Sequence, residues 1–511
     1  MALEQESTPQ MSVTEPGCPI RMGDYTNIFV CGRKLHAAPE GIDEQPVCLM
    51  HSKDPDKQSG WLNEEFWAEF KRILEVASDS EAHFEKFVFP EVHLSGRRFI
   101  ATCFFIQTTF LQNVDFHGTT FTKNADFTEA TFNRDADFNE IIFAQKAYFG
   151  GATFKQEAYF CGVTFTMDTN FREATFMQNA IFIGTTFTQK AEFNHATFKL
   201  GANFNKTTFM LSGEFEATNF QRTATFMYSK FLDRAEFRHT KFEIRGEKPN
   251  PIFTLVQFAK PGEIVFEDVD LSRAIFYNCD VSRVEFTSSV QWAKRRKNRG
   301  LAIFEETFLL KNNYTEEIQQ NSQQDYAAIA QIYQQLKKNY DSRLDYWTAN
   351  QFHYGEMEMK RLAPPEPGRL FRGGWMHRWL HRNLRLVALY QRASDYGNSS
   401  AKPAAWILAI LLLFSVLLPL PGIGLRHQSP EFTQTYISVW DKTQPWTPNL
   451  VREARTVGKA GITALDTVTF QRNPEYLPGY PWGRVLAIGA TLLISSLFAL
   501  FLLAIRRQFK R

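Results

Sequence analysis

The sequence predicts a β-solenoid that is followed by helices and by two segments able to cross a membrane. Three observations predict this fold class. Phenylalanine recurs at alternating steps of five and six residues from Phe99 to Phe242, and 27 of the chain's 49 phenylalanines lie on this ladder. A small or β-branched residue stands two positions before the ladder phenylalanines. Near the C-terminus, the runs 403–425 and 485–505 carry no charge.

The N-terminal segment, residues 1–60, holds a candidate metal site. It contains Cys18, Cys31, Cys48 and His51, spaced C-x12-C-x16-C-x2-H. Three thiolates and one imidazole make a complete tetrahedral zinc set with no open position for catalysis. The surrounding residues are too polar to form a hydrophobic core, so a metal would supply the folding energy. The sequence therefore predicts a structural zinc ion, and the alternative is a flexible tail with unrelated cysteines. No apolar stretch typical of a signal peptide is present.

A helical cap is expected over 61–87, and the phenylalanine ladder follows it. Residues two apart on an extended chain point to the same side, so each phenylalanine and its small partner face inward. No helical phase satisfies steps of five and six alternately, so the segment consists of short strands separated by turns. The repeating unit has eleven residues, as in "ADFTEATFNRD" at 125–135. A short period in many copies indicates a solenoid.

The pattern resembles the pentapeptide-repeat family, in which a small residue precedes a central Leu or Phe among polar residues. The resemblance covers 88–290 and implies a right-handed four-sided β-helix with the central residue stacked inside. Alternate units carry one extra residue, which predicts a coil of 22 residues with a wider turn at alternate corners. After a break at 245–251, a stricter step of five returns at Phe266, Leu271, Phe276, Val281 and Phe286.

A helical connector, residues 291–400, follows the solenoid. Within 325–362, apolar and aromatic residues recur at helical spacing, which predicts an amphipathic helix. The basic stretch 369–390 interleaves Trp375 and Trp379 with arginines. Such a helix beside a membrane span is typical of the lipid interface, and the alternative is a surface helix packed on the connector.

The C-terminal part, 401–511, is interpreted as a two-span transmembrane module with the loop 426–484 between the spans. Both uncharged runs are long enough to cross about 30 Å of hydrocarbon as helices. Arginine and lysine crowd the outer flanks of the two spans, and the positive-inside rule then places both termini in the cytoplasm. The interpretation is a multi-pass inner-membrane protein whose solenoid is cytoplasmic.

The connector and the spans also resemble a group of bacterial membrane proteins that join pentapeptide repeats to a two-helix module. The resemblance rests on "YQQLKKNYDSRLDY" and "FHYGEMEM" in the connector, and it extends to "CPI", "CGRKL" and "CLMH" near the N-terminus. The module looks like a degenerate two-span ion channel. Its pore-like loop would comprise Thr467, Val468, Thr469, Phe470 and Gln471. Thr469 and Gln471 replace the two glycines of a potassium filter, which argues against a working filter. The alternative is an ordinary extracellular loop.

No pattern typical of an enzyme is found, so no catalytic activity is expected. The favoured function is a membrane-anchored scaffold whose solenoid contacts an unidentified cytoplasmic protein, with the lipid bilayer as a second partner. The alternative is a channel-like or sensor protein gated by the solenoid, with a homo-oligomer formed through the transmembrane module. Nucleic acid is not expected as a partner, and mimicry of DNA is disfavoured. Residues 88–242 carry 15 acidic and 15 basic side chains and so lack the required field.

Overall fold

The computed structural model divides the chain into two compact units, residues 1–315 and 316–511. Each unit is described by itself. The structure describes residues 17–23, 28–243, 248–295, 300–307, 322–363, 383, 385–425, 435, 440–468, 476–478 and 481–508.

The first unit opens with a two-stranded antiparallel sheet, β1 (Arg21–Gly23) and β2 (Ile28–Val30). A short 3-10 helix, Pro55–Gln58, leads into helix α1, Gly60–Ala77. One face of α1 is buried, and it carries the residues Leu62, Phe66, Phe70, Ile73 and Ala77. The ring of Phe70 stacks on Phe84 with centroids 4.7 Å apart. Helix α1 therefore covers the first coil of the solenoid, in the segment where a helical cap was expected.

The solenoid has four faces, each a parallel sheet of very short strands. The chain visits faces 1 to 4 in order and then begins the next coil. Face 1 consists of Glu81–His83, Thr102–Phe104, Ala125–Asp126, Ala147–Tyr148, Thr169–Asn170, Lys190–Glu192, Ser212–Glu214, Arg234–Arg238, Ile264–Glu267 and Glu285–Phe286. Face 2 consists of Val88–Phe89, Thr109–Phe110, Thr131–Phe132, Thr153–Phe154, Thr175–Phe176, Thr197–Phe198, Asn219–Phe220 and Lys241–Phe242.

Faces 3 and 4 complete the square. Face 3 consists of Val92–His93, Val114–Asp115, Ala136–Asp137, Ala158–Tyr159, Ala180–Ile181, Ala202–Asn203 and Ala224–Thr225. Face 4 consists of Arg98–Phe99, Thr120–Phe121, Ile142–Phe143, Thr164–Phe165, Thr186–Phe187, Thr208–Phe209, Lys230–Phe231 and Gln257–Phe258. The prediction of a β-solenoid is thus confirmed, with about nine turns.

The register of the strands confirms the predicted coil of 22 residues. Phe121 pairs with Phe99 on one side and with Phe143 on the other, so each phenylalanine lies beside its equivalent in the next coil. The corners after faces 1 and 3 are tight turns, and the corners after faces 2 and 4 take the extra residue. Beyond the break the coil shortens to 20 residues, because Phe266 pairs with Phe286.

The core of the solenoid is a stack of phenylalanine rings. From Phe105 to Phe237, every ladder phenylalanine is at most 1% exposed. Successive coils place rings face to face, as for Phe132 and Phe154, whose centroids are 4.6 Å apart. Rings that follow opposite faces meet edge to face, as for Phe171 and Phe182 at 87°. Each buried ring contributes about 2–3 kcal/mol by leaving water, and each ring pair adds about 0.5–1.5 kcal/mol.

Buried threonines in the small inward position join the coils by hydrogen bonds. The hydroxyl of Thr207 donates to the carbonyl of Phe182, in the coil before, at 2.6 Å. The same bond runs from Thr218 to Phe193 and from Thr240 to Phe215. The hydroxyl is thereby satisfied inside an apolar core, which is the condition for burying it without a large penalty.

At its C-terminal end the solenoid meets a small hairpin, Ala293–Lys294 with Leu301–Ala302, and a helical turn at 304–307. The buried carboxylate of Glu305 accepts a hydrogen bond from the backbone N–H of Phe276 at 2.5 Å. Burial raises the pKa of Glu305 to about 7. Glu305 therefore joins the helical turn at 304–307 to the last coils of the solenoid.

The second unit is helical. Its helices are α2 (Ser322–Ser342), α3 (Tyr346–Leu362), α4 (Leu386–Ser394), α5 (Ala401–Leu417), α6 (Trp446–Val468) and α7 (Pro481–Gln508). Two short strands, Ile423–Leu425 and Tyr476–Pro478, pair antiparallel. The segment 325–362, where the sequence predicts an amphipathic helix, is helical but is divided into α2 and α3. Most of the basic stretch 369–390 lies outside the described residues, apart from its end at the start of α4.

The "GEMEM" stretch of α3 supplies a buried carboxylate, Glu356, and a half-buried one, Glu358. Glu356 accepts hydrogen bonds from Lys360 and contacts His353, and these contacts lower the pKa of Glu356 to about 2, the His353 contact most strongly. Glu358 accepts the hydroxyl of Tyr396 at 3.0 Å, which ties α3 to the segment between α4 and α5. The charged residues of this stretch therefore hold the connector together.

Candidate metal centre and apolar helices

The strands β1 and β2 bring the first two cysteines together. The backbone N–H of Cys31 donates to the carbonyl of Ile20 at 2.8 Å, and the N–H of Gly32 donates to the carbonyl of Cys18 at 3.0 Å. Gly32 has φ +61°, a conformation that favours glycine. A side chain on Gly17 would stand 2.5 Å from the Gly32 carbonyl oxygen. Both glycines are therefore needed for the close approach of the two chain segments.

The other two candidate ligands come from one tight turn. The N–H of His51 donates to the carbonyl of Cys48 at 3.0 Å, so the two side chains leave the turn on the same side. The turn is anchored by Lys57, a fully buried lysine whose ammonium group donates to the carbonyls of Leu49 and Ser52 at 2.8 and 2.5 Å. Burial lowers the pKa of Lys57 to about 7.

The four predicted ligands converge. Their ligand atoms all lie within 4.8 Å of one another. Sγ of Cys31 is 3.7 Å from Sγ of Cys48, and Nδ1 of His51 is 3.2 Å from Sγ of Cys48 and 3.5 Å from Sγ of Cys18. Sulfur atoms that share one tetrahedral zinc ion at about 2.3 Å stand about 3.7 Å apart. The cluster therefore has the composition and the spacing of a closed tetrahedral metal site.

A hydrogen bond outside the cluster sets the orientation of the imidazole. Nε2 of His51 lies 3.2 Å from the backbone carbonyl of Glu85, which can only accept, so Nε2 carries the proton. Nδ1 then presents its lone pair to the three sulfurs. Metal-binding histidines are usually fixed in this way by a carbonyl or a carboxylate. The ring of His51 also meets Phe87 edge to face at 5.1 Å.

The charge of the cluster is partly balanced by Arg33. Its guanidinium group donates to Sγ of Cys31 at 3.2 Å and to Glu69 at 2.8 Å. The pKa of Cys31 is lowered to about 3, chiefly by the hydrogen bond from the Cys48 thiol, and the same contact raises the pKa of Cys48. A divalent metal would displace the shared proton, since thiolates are the binding form.

The four candidate ligands were predictable from the sequence, whereas the residues that support the cluster were not. Arg33, Lys57 and Glu85 act through backbone carbonyls or a sulfur that only the fold brings near. The sole signal for Arg33 was its position two residues after Cys31. Glu85 could not be found, because it contributes its backbone oxygen and lies 34 residues from His51.

The predicted pore-like loop is described only in part. Thr467 and Val468 form the end of α6, whereas Thr469, Phe470 and Gln471 lie outside the described residues. The pore-like loop therefore remains a prediction.

The apolar helices α5 and α7 expose their large side chains. The exposed residues are Trp406, Leu408, Leu412, Leu413, Val416, Trp482, Val485, Ile488, Leu492, Leu493, Phe498, Leu502 and Leu503. In the part of the chain that the structure describes, one helix is long and apolar enough to cross a membrane, over Pro481–Arg506. Helix α5 is apolar but has 17 residues, so the first predicted span stays a prediction.

Small residues fill the space between these helices and α6. Ala460, Ala464 and Ala490 are at most 3% exposed and share one cluster with Phe414. A side chain on Gly461 would stand 3.2 Å from the hydroxyl oxygen of Ser415. Close packing through small residues is typical of helices within a bilayer.

Residues 84–131 and 127–175 match a family model described as Pentapeptide repeats (9 copies). No curated protein and no solved structure matches the chain. The matched segment lies in the first coils of the solenoid, where the family resemblance was inferred from the phenylalanine ladder. The chain thus carries a pentapeptide-repeat β-solenoid, and the same register continues beyond the matched residues to Phe242.

Proposed function

We propose that this protein is a membrane-anchored scaffold that presents its pentapeptide-repeat solenoid to a cytoplasmic protein partner. The observation that carries the proposal is the burial pattern of α5, α6 and α7, in which Ala460, Ala464 and Ala490 are covered whereas leucines such as Leu408 and Leu492 are exposed. The solenoid supplies the presenting surface and the metal centre supplies its N-terminal cap. The proposal assigns the protein no catalytic reaction.

The membrane anchor is supported by the surface of α7. A 26-residue helix is about 39 Å long, which exceeds the hydrocarbon core. Only 17% of the apolar 18-residue stretch of this helix is buried, whereas the central helix of a water-soluble protein would be mostly covered. Water-soluble proteins rarely expose continuous apolar patches of more than a few hundred Å². Arg506 at the end of the helix then suits the cytoplasmic headgroups.

The scaffold role is supported by the outer surface of the solenoid. Threonine is the commonest residue at the outward strand positions of faces 2 and 4, where the charged residues are Arg98, Lys230 and Lys241. On face 1 the charges neutralise one another between coils, as where Lys190 bonds Glu192 at 2.6 Å and Glu214 at 3.0 Å. A rigid surface of this kind suits recognition of a protein by shape and hydrogen bonding, and it lacks the field that nucleic-acid binding or mimicry needs.

Zinc is the metal that best fits the N-terminal cluster. Thiolate and imidazole ligands in a closed tetrahedral set favour zinc over magnesium or calcium, which prefer oxygen ligands. The cluster is joined to the solenoid through the His51–Glu85 hydrogen bond and through the N–H of Val88, which donates to the carbonyl of Met50 at 2.8 Å. A bound zinc ion would therefore stabilise the cap on the first coil.

Metal content tests the cap. Full-length protein purified under reducing conditions should contain about one zinc ion per chain, as a single closed site requires. Cys48→Ser should abolish the zinc content, and Cys161→Ser, a half-buried cysteine of the solenoid, should preserve it. Absence of zinc from the unmodified protein would refute this part of the proposal.

Topology tests the anchor. A cysteine replacing the exposed Lys442 should react with a membrane-impermeant thiol reagent in whole bacterial cells, and a cysteine replacing Ser399 should react only after the cells are opened. This result would place both termini in the cytoplasm, since two crossings return the chain to its starting side. Reaction of both positions in whole cells, or recovery of the protein with the soluble fraction, would refute a two-span anchor.

The channel-like alternative is favoured by one feature. The predicted pore-like loop begins in the last turn of α6, a helix that packs against both α5 and α7. Recording from purified protein in a planar bilayer separates the two functions. Discrete conductance steps would favour the channel, and a silent bilayer that contains the protein would leave the scaffold.

A further inference from the structure

Helix α6 presents a continuous apolar face to its surroundings. Leu450, Val451, Ile462 and Leu465 are 54%, 53%, 45% and 50% exposed, and Ala454 and Gly458 between them are also exposed. At 100° per residue, all six positions fall within one third of the helix circumference. In the sequence this segment lies within the loop 426–484, which is predicted to be external, and there such a face would lie in water.

The opposite side of α6 is covered, and it is not the hydrophobic side. Its buried residues are Asn449, Thr456, Ala460, Thr463 and Ala464. The hydroxyls of the two threonines donate to carbonyls of their own helix, Thr456 to Arg452 at 3.0 Å and Thr463 to Lys459 at 2.9 Å. A water-soluble amphipathic helix would bury the leucines and expose the threonines. Helix α6 does the reverse.

The charged side chains of α6 avoid the apolar face. Arg452, Lys459 and Asp466 are spaced by seven residues, so they form one line along the flank between the exposed and the covered sides. Arg455 lies at the border of this line. Arg452 points back toward Asp441 in the preceding turn, with 3.9 Å between the charged atoms. The apolar face is therefore not interrupted by charge over the length of the helix.

Three kinds of surroundings could meet such a face: water, a second copy of the chain, or lipid. Water is disfavoured by the exposed area of leucine, valine and isoleucine. Lipid is favoured over a second copy because α6 shares its buried side with α5 and α7, whose own exposed leucines form the anchor. A line of charges beside an apolar face is also the pattern of helices that lie at the lipid interface.

We infer that α6 is a third lipid-contacting helix, with its apolar face against acyl chains and its charged flank at the headgroups. This inference rests on the proposed membrane anchor and extends it. The segment between the two predicted spans would then be a membrane-embedded part of the module rather than an external loop. The buried Ala460 and Ala464 allow α6 to lie close against α5 at that depth.

Spin labelling tests the inference on the full-length protein in vesicles of phosphatidylcholine and phosphatidylglycerol. The background carries Cys161→Ser, and the remaining native cysteines are buried or belong to the metal cluster. Single labels are placed at Ile462→Cys on the apolar face, at Lys459→Cys on the charged flank and at Leu492→Cys on α7. Collisions with oxygen, which dissolves in lipid, are compared with collisions with a neutral nickel chelate, which stays in water.

The expected result is that the label at 462 favours oxygen as strongly as the label at 492, and that the label at 459 collides more with nickel than either. Nickel preference at 462 together with oxygen preference at 492 would overturn the inference and leave the anchor intact. Weak collision with both reagents at 462 would assign the face to another protein copy and would also overturn it. Nickel preference at 492 would refute the anchor itself. Leu465→Cys repeats the measurement if the label at 462 disturbs folding.

Discussion

The solenoid and the C-terminal helices bury opposite kinds of side chain. In the solenoid, the large phenylalanines are covered and threonine, asparagine and lysine face outward. In the bundle of α5, α6 and α7, the covered residues include Ala460, Thr463 and Ala490 beside Phe414, and leucines such as Leu408 and Leu492 are 60% and 66% exposed. Both arrangements occur in one chain, and the proposed membrane anchor explains the difference by assigning the two regions to different solvents.

The energetic reason for this difference is the solvent from which the side chains are removed when they are buried. In water, each buried phenylalanine ring is stabilised by the removal of apolar surface, so selection for a stable fold places the largest rings inside. In lipid, a leucine loses nothing by facing outward, and helices are held by close packing and hydrogen bonds, which favours small residues at the contacts.

The largest effect is expected from Phe182→Asp. The ring of Phe182 is fully buried and stacks on Phe160 and Phe204 with centroids 4.9 Å away on both sides. A carboxylate there has no partner, so the free energy of unfolding should fall by more than about 4 kcal/mol. The urea midpoint of the β-sheet signal in far-ultraviolet circular dichroism is the measurement. Lys155→Asp, on the outside of the same coils, is the matched control, and equal midpoints for the two variants would contradict the inward assignment.

The same change on α7 should be costly for the opposite reason. Leu492 is 66% exposed, and in water Leu492→Asp would be nearly silent. In a bilayer an aspartate near the centre of a helix costs about 2.5–3.5 kcal/mol of insertion free energy. The fraction of protein that resists alkaline extraction from membranes should therefore fall. Leu344→Asp, at a leucine that is 71% exposed between α2 and α3, should leave that fraction unchanged. If both variants stay in the membrane equally, α7 is not the anchor.

The two regions also differ in how much the sequence revealed. The solenoid could be predicted almost completely, because a strict spacing of five and six residues places the same inward and outward positions in every coil. Its 22-residue coil and the inward position of residues such as Phe182 followed from counting. The helical module lacks a repeat. Its spans were inferred from uncharged runs. Helix α6 was predicted to be part of a loop, because charged residues interrupt its apolar residues along the sequence and the apolar face is visible only on a helical projection.

The residues of the candidate metal cluster could be predicted from the sequence, whereas the residues that hold the cluster in place could not. Three cysteines and one histidine near the N-terminus predict a zinc site, since thiolate and imidazole are the ligands that zinc prefers. The spacing of Cys18 and Cys31 is explained by the strands between them, which return the chain to its starting point. The backbone carbonyl of Glu85 and the ammonium group of Lys57 reach the cluster only through tertiary packing, so no local sequence pattern could predict their roles.

Glu305 is an exception to the apolar core of the solenoid, because its carboxyl group is buried against the last coils. Burial raises its pKa to about 7, above the ordinary value of 4.5. The folded state then holds the proton more tightly than the unfolded state. Its stabilisation is fully present below pH 4.5 and is lost as the pH rises through 7, by up to about 3 kcal/mol. Hydrogen exchange of the Phe276 amide, which bonds to Glu305, should therefore accelerate between pH 5 and 8 beyond the intrinsic dependence.

Glu305→Gln is the variant that isolates this effect, because the amide mimics the protonated carboxyl group. In that variant the excess pH dependence of the Phe276 amide should disappear. Glu285→Gln, at an exposed position of face 1, should retain it. Persistence of the excess dependence in the Glu305 variant would assign the titration to another group.

The smallest effect is expected from replacing one buried threonine by valine in each of the two regions. Thr207 in the solenoid and Thr456 in α6 are both buried, and each hydroxyl donates to a backbone carbonyl, at 2.6 and 3.0 Å. The Thr207 bond joins two coils, so Thr207→Val should lower the free energy of unfolding by about 1 kcal/mol. The Thr456 bond returns to its own helix, where the carbonyl already has an N–H partner, so Thr456→Val should change little. Urea midpoints for the solenoid and thermal midpoints in detergent for the helices are the measurements. A larger loss for the Thr456 variant would mean that this hydroxyl contributes to the packing of α6 on its neighbours, and that the small buried residues of the bundle hold it by polar contacts as well as by shape.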